Sequence, residues 1–208
     1  MSSRNSYGLA TWAKWLIGIF ATLSILTLAG LGIGAWFIYD FANKAADPEN
    51  AKKVADGIVT MAAPLGDNYK YSLGIDIPGL MTLASVEDET TKTSYSFMKL
   101  NNTAGKGSDD VTAEDMVEEI AKRVPTGSGE TSSMEVEEKG TMTVAGLETP
   151  YVLGKLHSKG NALLPALLGC VMPSKEKVIL LMALNPTADQ PIDLEAVKEF
   201  FSSVKAFK

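Results

Sequence analysis

One cysteine, Cys170, and one histidine, His157, are all that the 208 residues hold of either. A lone cysteine excludes an internal disulfide. A lone histidine excludes multi-histidine metal sites and leaves a single candidate for a catalytic imidazole. No G-x-S-x-G surrounds any serine, so the strand–turn–helix nucleophile of an α/β-hydrolase is missing. Gly105-Lys106-Gly107 lacks the spacing and the Lys-Ser/Thr pair of a phosphate loop. The acidic runs Glu87-Asp88-Glu89 and Asp109-Asp110 lack the spaced ligands and glycine of an EF-hand loop. These absences predict no cofactor, no metal and no catalytic residue. An enzyme would have to be a weak hydrolase built on His157, and a surface histidine at a strand end is the plainer reading.

Charge is also missing, over one long stretch. Trp15 to Tyr39 is 25 residues without a single Asp, Glu, Lys or Arg. About 20 apolar helical residues cross a bilayer. Trp12 and Trp15 stand at one end and Trp36, Phe37 and Tyr39 at the other, the residue types that sit at headgroup depth. The run is longer than the 7–15 apolar residues typical of a cleaved signal, although Gly32-Ile33-Gly34-Ala35 offers small residues for cleavage. No cysteine follows it, which excludes a lipid-modified lipoprotein. The expected organisation is a short tail over 1–14, a transmembrane helix over 15–39, a juxtamembrane linker over 40–47 and an α+β domain over 48–208. Lysines on the two flanks nearly balance, but the short tail and large following domain point to a signal-anchor. The domain is then extracytoplasmic, on a single-pass protein of the cell (inner or plasma) membrane. Gly30 and Gly34 form a GxxxG, the spacing that lets two membrane helices approach and form a homodimer.

Basic residues are scarce in the remainder. The first 39 residues carry Arg4 and Lys14 and no acid; the rest carries 17 basic and 25 acidic residues. Such a domain excludes nucleic acid, whose affinity comes from cations on phosphate, and does not favour lying on anionic lipid.

The pattern after the linker alternates between helix and strand periods. Asp47-Pro48-Glu49 starts a helix carrying Val54, Ile58, Met61 and Ala62 on one face. Tyr69, Tyr71, Leu73, Ile75 and Ile77 alternate with polar residues or glycine, a half-buried strand. Pro78-Gly79 turns into a second strand, Leu80 to Val86, and Thr93 to Leu100 makes a third. Thr112 caps a helix with Met116, Val117, Ile120 and Val124 along one stripe, and Asp115 completes a short-armed capping box. Strands are predicted over Met134–Val144, Pro150–Ser158 and Val178–Leu184. Asp193 caps a last helix, with Val197, Phe200, Phe201, Val204 and Phe207 as its apolar face. The fold class is α+β: an antiparallel β-sheet of about six to seven strands covered by helices.

This order resembles the α-β-α sandwich of the PsbP and Mog1 proteins, shared with many small bacterial lipoproteins and secreted domains. The residues that carry the resemblance are the Tyr69–Ile77 strand, the Thr112–Val124 helix and the closing Val178–Leu184 and Asp193–Phe207 pair. The resemblance implies a non-enzymatic scaffold that acts as an accessory or binding factor. It supplies no functional residues, and the anchor departs from the soluble plant members.

One stretch stands out as a candidate partner surface. Ala162 to Gly169 is apolar where a loop would be polar, and Pro165 interrupts strand pairing. Leu163, Leu164, Pro165, Leu167 and Leu168 are either a core strand or an exposed patch that docks a protein partner or the membrane surface. Cys170, next to it, is expected to be buried.

Overall fold

The computed structural model describes residues 42–100, 112–122, 124–125, 131–157, 163–174, 177–187 and 190–208. Trp15–Tyr39, with Gly30 and Gly34, lies outside the described residues. Among the described ones, no helix is long and apolar enough to cross a membrane. The chain divides into two units, Met1–Lys44 and Ala45–Lys208; the second contains every element below.

Helix α1 spans Pro48–Ile58. Asp47 is its N-cap, accepting from the Glu49 amide at 2.9 Å, and Pro48 occupies the first turn, where no amide donor is needed. Ala51, Ala55 and Ile58 form its buried face. The apolar periodicity runs on to Ala62, but the helix stops at Ile58. Val59 and Thr60 are β-branched, and their backbone is taken by strand β1, Val59–Met61, which pairs with the last strand of the chain.

Strands β2 (Tyr69–Ile77), β3 (Met81–Asp88) and β4 (Ser94–Leu100) form a meander. Helix α2, Ala113–Lys122, begins at a reciprocal capping box: the Asp115 amide donates to Thr112 Oγ1 at 3.1 Å, and Asp115 Oδ2 accepts from the Thr112 amide at 3.1 Å. Val124, read as part of this helix, instead starts β5 (Val124–Pro125), which pairs with β6 (Thr131–Ser132). A second meander follows: β7 (Met134–Val144), β8 (Leu147–His157), β9 (Leu163–Ser174) and β10 (Lys177–Leu184). Helix α3 spans Leu194–Ser202, with Asp193 Oδ1 accepting from the Glu195 and Ala196 amides at 3.1 Å each.

Val204 and Phe207 do not continue α3. They belong to β11, Val204–Phe207, antiparallel to β1. Ser202 and Ser203 turn their hydroxyls back onto the carbonyls of Glu199 and Phe200, a local alternative to further helical bonds.

The main sheet has seven antiparallel strands in the order β2-β3-β4-β10-β9-β8-β7. The two meanders therefore meet at β4 and β10. Alternate side chains serve opposite faces. On one face, α1 and α3 cover Ala84, Val86, Tyr95, Phe97, Leu167, Ile179 and Leu181. An aromatic cluster fills its centre: Tyr95 stacks on Phe200 at 3.9 Å, and Phe201 meets Phe97 edge-on at 5.7 Å. On the other face, α2 covers Met134, Val152, Ala166, Leu168, Cys170 and Val178. The result is an α+β sandwich with helices on both faces.

A candidate docking surface on the bare half-sheet

The strand Tyr69–Ile77 has the boundaries its alternation predicts, but not a single buried face. Tyr71 pairs with Val86, and Leu73 with Ser85, so two residues of β2 advance against one of β3. This bulge exchanges the faces. Tyr69 and Tyr71 point to the α1 side and pack on its core; Leu73, Ile75 and Ile77 lie on the other side. Gly74 then falls on the α1 side, where a β-carbon would come within 2.5 Å of Ala51 Cα. The Asn50 side chain donates to the Gly74 carbonyl at 3.1 Å and occupies that point of the open β2 edge. The glycine thus lets α1 lie against the strand and fixes which residues are turned away.

Those residues form an apolar surface. Leu73, Ile75 and Ile77 of β2, Met81 and Leu83 of β3, and Met98 of β4 are all half-buried. None belongs to either buried cluster. Helix α2 packs on β7, β8 and β9, leaving this face of the β2–β4 half without a helix among the described residues. The rows run across the strands: Ile75 opposite Leu83 opposite Met98, and Ile77 opposite Met81 opposite Leu100. Along the strands the surface is graded. At one end Ser85 and Ser96 share a buried hydroxyl contact at 2.7 Å, and Lys70 pairs with Glu87 in register and with Glu89 by an ion pair. At the other end the β2–β3 turn places Leu80 at 60% exposure.

Sequence reasoning missed this surface because its residues alternate in step with the expected core face. The one signal of the exchange is Gly74, the small residue among the set read as solvent-facing.

Of the two readings of the segment singled out by sequence, the structure has the core strand. Leu163–Ser174 is β9, paired on both sides by β8 and β10. Leu167 faces α1 and α3, Leu168 faces α2, and both are buried, as is Pro165; Leu163 and Leu164 are half-buried at the strand's start. Pro165 does not interrupt the sheet. Its carbonyl accepts from the Asn185 amide at 3.0 Å, and the last β10 partner is Leu184 against Ala166. A residue's amide and carbonyl leave a strand on the same side. The missing proline donor therefore falls just past the end of β10, where it costs no ladder bond.

The other candidates are dispersed. His157 is exposed at the end of β8, its backbone amide 3.2 Å from the Ser133 carbonyl. Cys170 is buried under α2, and burial pushes its thiol up to about 12. Of the acidic run, Glu89 pairs with Lys70 while Asp88 turns inward. Asp88 accepts from Asn68 Nδ2 at 3.1 Å, the Thr90 amide at 2.8 Å and Thr91 Oγ1 at 2.9 Å. Burial raises its pKa, and these hydrogen bonds outweigh burial, so the carboxyl titrates below its ordinary value. Among the described residues no three His, Cys, Asp or Glu converge as a metal site. Gly105–Gly107 and Asp109–Asp110 lie outside them. A hollow of about 450 Å³ opens between α1, β1 and β2, lined by Lys52, Asp56, Met61, Tyr71 and Lys208. Lys208 Nζ already donates to the Asp56 carbonyl there at 2.5 Å.

No family model matches the chain, and no curated protein matches it. Among solved structures, the chain is similar to the PsbP protein (CyanoP) of the cyanobacterium Synechocystis sp. PCC 6803. The two are 17% identical, over 71% of this chain and 89% of that one, with a TM-score of 0.41.

Proposed function

We propose that this chain is a single-pass membrane protein whose α+β domain works by contact, as a non-enzymatic accessory factor outside the cytoplasm. Trp15–Tyr39 is the span, and Gly30 and Gly34 offer it a homodimer contact. The observation that carries the reading is the bare half-sheet: six half-buried apolar side chains in register, with no helix over them among the described residues. Contiguous apolar surface left open on a domain marks an interaction site more often than chance. The uncharged 25-residue run supports a contact at a bilayer.

Two measurements test the two halves of the reading. Membranes washed with alkaline carbonate retain the chain, and protease added to intact cells, after outer-envelope permeabilisation where needed, digests the domain. Release by carbonate removes the span, and full protection until lysis reverses the orientation. A photo-crosslinking residue at position 83 gives an adduct in intact membranes, whereas the same residue at position 135, on the far edge strand, gives none. Equal labelling from the two positions removes the contact surface.

A further inference from the structure

The apolar end of the bare half-sheet is a turn, and its composition is unusual for one. Ile77-Pro78-Gly79-Leu80-Met81 contains no charged or hydrogen-bonding side chain. The Leu80 amide closes the turn on the Ile77 carbonyl at 3.0 Å, and Gly79 takes a φ of +77° after proline, the pairing that a type II turn requires. The turn holds Leu80 outward. At 60% exposure Leu80 is the most open large apolar side chain among the described residues.

The turn is continuous with the surface behind it. Ile77 and Met81 form the first row, which ends at Leu100 against the α2 cluster, and Ile75, Leu83 and Met98 form the second. Two residues of strand separate the rows, about 7 Å. That matches the depth, about 5–10 Å, to which interfacial apolar groups enter the headgroup and acyl boundary. Beyond the second row the same face turns mixed, with Leu73 beside the buried Ser85 and Ser96, and then polar at the Lys70–Glu87 pair. A surface apolar at its tip and polar at its far end is suited to entering an interface end-on. A flat protein–protein patch has its apolar residues at the centre and a polar rim all round. Residues 101–111, between β4 and α2 in sequence, contain one apolar side chain larger than alanine, Val111. Eight residues, 40–47, stand in sequence between Tyr39 and α1, and 42–46 of them are helical. A bilayer crossed by Trp15–Tyr39 is therefore the apolar phase closest in sequence to this domain.

We propose that the turn Ile77–Met81 inserts into the headgroup–acyl boundary of the bilayer in which the chain is anchored, so that the domain touches the membrane at a second point. This rests on the membrane reading above.

The test uses the full chain in phosphatidylcholine liposomes. Trp12→Phe, Trp15→Phe and Trp36→Phe remove every native tryptophan, and Leu80→Trp adds one reporter. A matched protein carries Val136→Trp instead, at a position 40% exposed on the opposite edge strand. The expected result is blue-shifted emission from position 80, quenched by lipids brominated near the headgroup at least threefold more than emission from position 136. Matching thermal melts of the two variants show that neither change disturbs the fold. Water-like, unquenched emission from position 80 in a chain that stays with the liposomes overturns the insertion and leaves the anchor standing. A blue shift without quenching, in native membranes bearing brominated lipid, also overturns it, since the turn is then covered by protein. Failure of the chain to float with liposomes removes the membrane reading and the insertion together.

Discussion

The two halves of the sheet obey the same alternation and differ in what lies on them. In the β7–β10 half, both sets of side chains are covered: Leu167 lies under α1 and α3, and Leu168 and Cys170 under α2. In the β2–β4 half, Tyr95, Phe97 and Val86 are covered on one face, while Ile75, Leu83 and Met98 on the other are left half-open. Strand chemistry does not cause the difference, since both halves carry apolar residues on both faces. The cause is that, among the described residues, the three helices that pack on the main sheet are distributed over four half-faces. One half-face remains, and its residues supply surface chemistry in place of stability.

That contrast makes ordered predictions for the full chain, read by thermal melting. Leu167→Ala, at a site with no exposure between the helices and the sheet, should lower stability by about 2–5 kcal/mol. A loss below 1 kcal/mol would mean that the covered half is not the packed half. Gly74→Ala comes next. Its methyl group meets the α1 backbone, so α1 must shift off β2, at a cost of about 1–3 kcal/mol. An unchanged melt would show that α1 is not seated on that strand.

The third prediction concerns the polar end of the bare half. Hydrogen bonds hold the Asp88 carboxyl below the ordinary aspartate value of 3.8, against the opposing effect of burial. A folded-state pKa below the unfolded one stabilises the domain above the unfolded value and loses that stabilisation as pH falls through the folded one. The protein should therefore lose stability as pH drops below about 4. Asp88→Asn should flatten the pH dependence in that window and lower stability at neutral pH by about 1–3 kcal/mol, since one oxygen becomes a donor among donors. A pH profile identical to the parent's would assign the acid sensitivity elsewhere. The smallest effect belongs to Leu83→Ser. On the half-open face it should cost no more than about 1 kcal/mol while abolishing the position-specific contact. A loss as large as that of Leu167→Ala would erase the difference between the halves.

Much of this fold is legible from periodicity. Tyr69–Ile77 and Met134–Val144 have the boundaries their alternation predicts, and Asp47, Thr112 and Asp193 cap the helices that follow them. These are local signals, carried by neighbouring residues. What was not legible depends on partners distant in sequence. Val59–Met61 and Val204–Phe207 continue the helical patterns of α1 and α3 and become strands only because each finds the other. In YKYSLGIDI the letters alternate straight through the β2 bulge, and Gly74 is the one sign of it. The candidate surface shared this fate. Leu163 to Leu168 drew notice as an apolar run around a proline, yet a run apolar at every position is what a strand covered on both faces requires. The open surface carries the ordinary pattern of a half-buried strand.

The meeting of the two meanders at β4 and β10 also sets a timetable. Ser94–Leu100 pairs with Lys177–Leu184 across roughly 80 intervening residues, which a ribosome takes roughly 4–16 s to add. During that interval α1, β2, β3 and β4 have all been synthesised, while the β4 edge still lacks its neighbour. A strand edge waiting for seconds is open to pairing with other chains. The seam between the covered and bare halves is thus the point at which a nascent copy of this protein is most exposed to misassembly. A chaperone that held β4 until β10 arrived would raise the yield of folded protein without touching its final stability.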